Sequence, residues 1–178
     1  GLPLNINLGA ANAGGTPCVT ANSKVLDLNL SLGALPFPLT ALSPTLQVKV
    51  AEGTSEKDGN VHRGGATVDY VKIAFPLNSW SLELKNLWSE VSASTPGACG
   101  AGNDLQGEVE IGRIVRNGTF LHNQLNKPLS IPIPLVGGVY LNHVTTTDRT
   151  VTANAVAIDL PGGLLDINIG HSTAGVDC

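Results

Sequence analysis

This chain of 178 residues predicts an all-β fold, an antiparallel β-sandwich with Greek-key or jelly-roll-like connections and an N-terminal strand open to donation between subunits. Three observations carry that reading. Apolar residues recur at every second position in stretch after stretch, the period of a half-buried strand. Twenty-one glycines and eleven prolines punctuate those stretches with turn chemistry. No segment sustains a helical period over about ten residues. Residues 1–178 read as a single domain, with residues 1–15 forming the N-terminal strand and donor segment.

The first element is "GLPLNINLG", where Leu2, Leu4, Ile6 and Leu8 share one face and Pro3, Asn5 and Asn7 the other. "VLDLNLSL" sets Leu26, Leu28, Leu30 and Leu32 against Asp27, Asn29 and Ser31, and "TLQVKV" sets Leu46, Val48 and Val50 against Gln47 and Lys49. "VDYVKIAF", "SLELKNLW", "EVEIGRIV", "VYLNHVTT", "VTANAVAIDL" and "LLDINIGHS" follow the same rule. Between them, Glu52–Gly65 holds the densest charge in the chain and reads as a long, solvated, mobile loop, and "PGACGAGNDLQG" as a second flexible connection. The proline-spaced stretches Leu35–Leu39 and Ser130–Leu135 belong on edges, because proline cannot donate to a ladder and blunts an edge against pairing.

The chain also repeats itself. "LNINLGAANAG" (Leu4–Gly14) matches "LDINIGHSTAG" (Leu165–Gly175), and each is followed by a cysteine, Cys18 and Cys178. "LELKNLWSEVSAS" (Leu82–Ser94) is a looser copy running on to Cys99, and "VKIAFP" (Val71–Pro76) matches "VAIDLP" (Val156–Pro161). The N-terminal segment is therefore built to occupy the kind of slot that the C-terminal one occupies.

Charge excludes several functions. Only 13% of residues are charged, the net charge is −4, and no basic patch marks a nucleic-acid partner. No run is long and apolar enough to span a bilayer as a helix. The absence of methionine makes Gly1 a product of processing, most simply signal-peptide removal, which points to a secreted, extracellular or cell-surface location. Three cysteines in such a setting allow one internal disulfide and leave one over. Cys99 and Cys178 end equivalent units and are the favoured pair. Cys18 then remains as a free or intermolecular thiol beside the donated strand.

The stretch Glu108–Cys178, "EVEIGRIVRNGTF", "LSIPIPLVGGVYLNHVTTTDRTVTANAVAIDL" and "LDINIGHSTAGVDC", resembles the secreted actinobacterial proteins of the choice-of-anchor P family, and the opening "GLPLNINLG" is similar to the start of their mature chains. The resemblance implies a secreted, all-β, surface-associated protein of a Gram-positive bacterium. It implies no reaction or cofactor.

No metal or catalytic signature competes with that reading. His62, His122, His143 and His171 are scattered and read as structural, with His171 sharing the parity of Ile167 and Ile169. HExxH, CxxC, GxSxG and phosphate-loop patterns are absent. Asn103, Asp104 and Glu108 supply two carboxylates where calcium needs six to eight oxygens. Asn29 and Asn117 head glycosylation sequons, with Asn117 on a hairpin tip. Trp80 and Trp88 share a strand parity and form the one candidate platform for a cell-wall or carbohydrate ligand.

The chain thus reads as a non-enzyme without cofactor, a structural subunit polymerising with copies of itself as an extracellular filament or pilus. Leu2, Leu4, Ile6 and Leu8 of one subunit complete the sheet of the next. Burying four such side chains yields about 6–12 kcal/mol gross, against an association cost of about 4–15 kcal/mol. The alternative is a monomeric β-sandwich adhesin or carbohydrate-binding module whose first strand pairs at home.

Overall fold

The computed structural model describes residues 4–8, 11–13, 21–22, 24–31, 45–76, 79–94, 102–133, 137–159 and 165–176. Among these residues every regular element longer than one turn is a strand, and the strands form two sheets, as the alternation predicts.

One sheet is a six-stranded meander of β4 (Lys24–Ser31), β5 (Thr45–Asp58), β6 (Val61–Phe75), β7 (Trp80–Ser94), β8 (Asp104–Arg116) and β9 (Thr119–Leu125), each antiparallel to the next. The other contains β10 (Leu129–Ile133), β11 (Gly137–Thr146), β12 (Thr150–Asp159) and β13 (Leu165–Gly175), again an antiparallel meander. It is extended beyond β13 by β1 (Leu4–Leu8), β2 (Ala11–Ala13) and β3 (Ala21–Asn22). The runs β4–β9 and β10–β13 are therefore meanders, β1 and β2 are the parallel, non-consecutive neighbours of β13, and the chain changes sheet between β3 and β4 and between β9 and β10. β13 packs over β6 and β7, β12 over β7 and β8, and β11 over β8, enclosing one apolar core.

The expected loop Glu52–Gly65 is instead the tip of the β5–β6 hairpin. Asp58 and Val61 pair directly around Gly59 and Asn60, and Gly59 has a φ of 57°. Gly-Asn is a two-residue hairpin-turn signal, with the glycine supplying the positive φ of the first turn position. The charged residues Glu52, Glu56 and Arg63 lie on the solvent side of this hairpin while Ala51, Gly53, Gly64 and Ala66 face inward. The density of charge reflects one face of a hairpin, not a loop. Likewise Asp104–Gly107 of the second expected connection is already strand, paired with Val91–Ser94. β10, with Pro132 exposed, lies at a sheet edge, while Leu35–Leu39 lies outside the described residues. Asn117 and Gly118 turn the β8–β9 hairpin with φ of 49° and 75°, and Asn117 Oδ1 accepts from the Ser81 amide at 2.7 Å.

A crease crosses each sheet, and it changes which residues are inside. In the β4–β9 sheet the ladder steps from Lys49↔Tyr70 to Ala51↔Val68, from Tyr70↔Lys85 to Val68↔Leu87, and from Lys85↔Arg113 to Leu87↔Ile111. Val50, Asp69, Asn86 and Gly112 fall on the skipped line. Gln124 continues it on β9, and Val50, Asn86 and Gln124 take φ of 45°, 53° and 54°. In the other sheet Asn142, Ala155 and Gly170 form the corresponding line, with φ of 55° at Asn142 and 63° at Gly170.

Each strand loses one step of its period there, so inward positions are spaced three apart: Val48 to Ala51, Val68 to Val71, Leu84 to Leu87, Ile111 to Ile114, Ile169 to Ser172. A one-residue slip exchanges the faces of everything beyond it. Val50 is consequently exposed rather than aligned with Leu46 and Val48, and as a β-branched residue at positive φ it is strained.

Candidate functional site

β13 is the strand on which the chain's self-similar parts converge. One flank is bonded antiparallel to β12. The other receives β1, in parallel, with Leu4↔Leu165, Asn5↔Asp166, Ile6↔Ile167, Asn7↔Asn168 and Leu8↔Ile169. β2 continues along the same flank with Ala11↔Ser172, Asn12↔Thr173 and Ala13↔Ala174. The pairing is the sequence repeat laid side by side and in register: each residue of Leu4–Leu8 and Ala11–Ala13 lies beside the residue that matches it in Leu165–Gly175. Like residues abut because a parallel in-register ladder gives both strands the same inward and outward phase. β1 is bonded to β13 alone among the described residues. Leu2 lies outside them.

Polar groups bind this slot to the opposite sheet. Ser89 of β7 and Ser172 of β13 are both buried, with their hydroxyls 2.5 Å apart. The Ser89 hydroxyl also donates to the Gly170 carbonyl at 2.8 Å. On the neighbouring pair of strands, Asn142 Nδ2 donates to the Val109 carbonyl at 3.2 Å. Buried hydroxyls and amides need such partners, and these tie the two sheets together at the crease.

His171 lies past the crease from Ile169, so it does not share that residue's face. It is half-buried and its Nδ1 donates to Asn154 Oδ1 of β12 at 2.6 Å. Burial pushes the imidazole below the ordinary histidine value of 6.5, with the Asp166 carboxylate acting more weakly in the opposite direction. The unfolded chain therefore binds the proton more tightly than the folded one. Stability is complete above the unfolded value and declines as pH falls through it toward the folded value. The denaturation midpoint of the protein should drop as pH falls through about 6.5, and by less in His171→Asn. An identical drop in that variant would assign the dependence to other groups.

The two tryptophans do not share a platform. Eight residues apart, they would face the same way on an unbroken strand, but the crease at Asn86 separates their phases. Trp80 is 3% exposed and meets Phe75 edge-on, with ring centres 5.7 Å apart. Trp88 lies on the outer face, half-buried, in the row Glu52–Thr67–Trp88–Glu110. The parity that joined them in the sequence is broken by the fold.

Asn103 and Asp104 border a groove of about 590 Å³ between the start of β8 and the β11–β12 turn. Asn103 Nδ2 donates to the Asp148 carbonyl at 3.0 Å, and both Asp104 carboxylate oxygens accept from Gln106 Nε2 at 3.1 Å. Glu108 is four residues farther along β8, about 13 Å away at strand rise, so these residues do not converge on a cation. Among the described residues no group of three His, Cys, Asp or Glu side chains is placed to hold a metal, and no helix is long and apolar enough to cross a membrane. Cys18, Cys99 and Cys178, and with them the expected Cys99–Cys178 bridge, lie outside the described residues. No family model, curated protein or solved structure matches the chain.

Proposed function

We propose that this chain is a secreted cell-surface structural protein, a filament or pilus subunit assembled by exchange of the β1 strand between copies. The observation that supports this reading most is the in-register pairing of β1 with β13. The slot beside β13 takes a strand of β13-like pattern, and β1 of a second copy presents the same residues to it. Exchange of an identical element between protomers replaces like bonds with like, which makes it a low-cost route to assembly. A contact in which each copy gives a strand forward and receives one from behind is heterologous and propagates as a fibre.

The exchange itself adds no new ladder, so adjoining surface or an intermolecular Cys18 bond has to offset the association cost of about 4–15 kcal/mol. The resemblance of Glu108–Cys178 to secreted surface proteins agrees with this role.

The protein is to be compared with a variant lacking Gly1–Gly9 by sizing chromatography and negative-stain microscopy. Polymers in the full chain that vanish in the variant are the expected result. A monomer in both would overturn strand exchange. A full-length monomer whose variant unfolds would assign β1 to its own subunit and favour the adhesin reading.

A further inference from the structure

Across the crease, the outer face of β7 and β8 carries a cross-strand pair of cations on one side and a cross-strand pair of carboxylates on the other. On one side Lys85 of β7 is the direct cross-strand partner of Arg113 of β8. Lys49 joins them in the same row across Tyr70, with the Lys49 and Lys85 ammonium groups 5.7 and 5.9 Å from the centre of that ring. On the other side Glu90 of β7 is the direct partner of Glu108 of β8, and both are exposed. Like charges directly opposite one another destabilise a sheet. The same two strands carry two such pairs, one cationic and one anionic, five residues apart.

The geometry points to a second copy of this chain as the partner that resolves both. Consider a two-fold axis running across the strands, midway between the two rows. It lays β7 antiparallel over β7 of the second copy. Lys85 and Arg113 of each copy then face Glu90 and Glu108 of the other, and the four cations meet four carboxylates. Such a contact is isologous, because one patch is complementary to itself. Trp88 falls beside the axis. An aromatic anchor at the centre with polar pairs around it is the usual anatomy of an interface.

The surface is large enough. Six strands at about 4.8 Å spacing and a length of about 14 residues give a face of roughly 25 by 45 Å, whereas a standard interface buries about 800 Å² per partner. Strand exchange at β13 is a separate contact on the other sheet, and this association does not depend on it.

The test uses two full-length variants, Lys85→Glu with Arg113→Glu, and Glu90→Lys with Glu108→Lys. Each keeps both of its pairs like-charged, and circular dichroism checks that both fold. Neither set touches β1 or β13, so strand exchange contributes equally to every sample.

In sedimentation velocity, wild type should self-associate at low salt and dissociate as salt shortens the screening length toward about 3 Å near 1 M. Each variant alone should associate at least tenfold more weakly. An equimolar mixture should recover association, because one copy is then anionic across the face and the other cationic. Variants that associate as tightly as wild type, or a mixture no tighter than its components, would overturn the proposal. Loss confined to the Lys85 and Arg113 variant would also overturn it, and would assign the basic half to an anionic ligand instead.

Discussion

Trp80→Ala is expected to lower the unfolding free energy by about 3–5 kcal/mol, the range for truncating a buried large aromatic. Trp80 begins β7, is 3% exposed, and packs edge-on against Phe75 across the β6–β7 ladder at an interplanar angle of 73°. Its truncation removes both the buried area and the ring contact, and leaves a cavity between the sheets. Trp88→Ala should cost less than about 1.5 kcal/mol, because that ring lies on the outer face. The indole Nε1 of Trp80 is buried without a hydrogen-bond partner among the described residues. Trp80→Phe should therefore recover a large part of the loss, since the smaller ring keeps most of the packing and removes the unsatisfied donor. Urea denaturation of the three variants measures this. Equal losses at Trp80 and Trp88 would mean that β7 keeps one phase from end to end, contrary to the crease at Asn86.

Gly170→Val should have the second large effect, about 2–6 kcal/mol, from left-handed backbone strain of about 1–3 kcal/mol and overpacking of a similar size. Gly170 has a φ of 63°, which a β-branched residue tolerates poorly. A Cβ there would lie 2.9 Å from the Ala155 Cβ and 3.5 Å from Val68 Cγ2. Its carbonyl also accepts the Ser89 hydroxyl, so a backbone shift that relieved the clash would loosen the tie between sheets. The steric part is separable. Gly170→Ala should be rescued in part by Ala155→Gly, the nearest obstacle, and a double-mutant cycle should give a coupling of about 0.5–3 kcal/mol. Strictly additive losses would place the whole effect in the backbone and remove the close approach from the explanation.

Much of the fold was legible because alternation is a local property. Among the described residues each apolar-polar stretch lies on a strand, the Pro132 stretch is at an edge, and Asn117-Gly118 is a hairpin turn. The signal for the crease was also present, as apolar spacings of three in "VDYVKIAF" and "LELKNLW". It was hidden because a strand that slips one step looks locally like two good strands. The Glu52–Gly65 hairpin was misread for a related reason. Its inward residues Gly53, Ser55 and Gly64 are small, and Gly64 fits where β6 closely approaches β13, with the Thr173 carbonyl 3.0 Å from the place a Cβ on Gly64 would occupy. Small inward residues give no apolar period, so only the charged outer face showed. At the candidate site the self-similarity of Leu4–Gly14 and Leu165–Gly175 could be read directly, but not that the two lie in parallel, side by side.

The sequence alone determined the all-β class, the placement of turns and edges, the low charge, and the likeness of the first strand to the last. These follow from side-chain periods of two and from the conformational limits of glycine, asparagine and proline, which act within a few residues. Only the tertiary structure decided the register between strands, and with it the burial of Trp80, the exposure of Val50 and Trp88, the seating of β1 on β13, and the facing of Lys85 with Arg113 and Glu90 with Glu108. Register is a relation between segments distant in the chain, set by which faces can be buried together, and no local pattern encodes it.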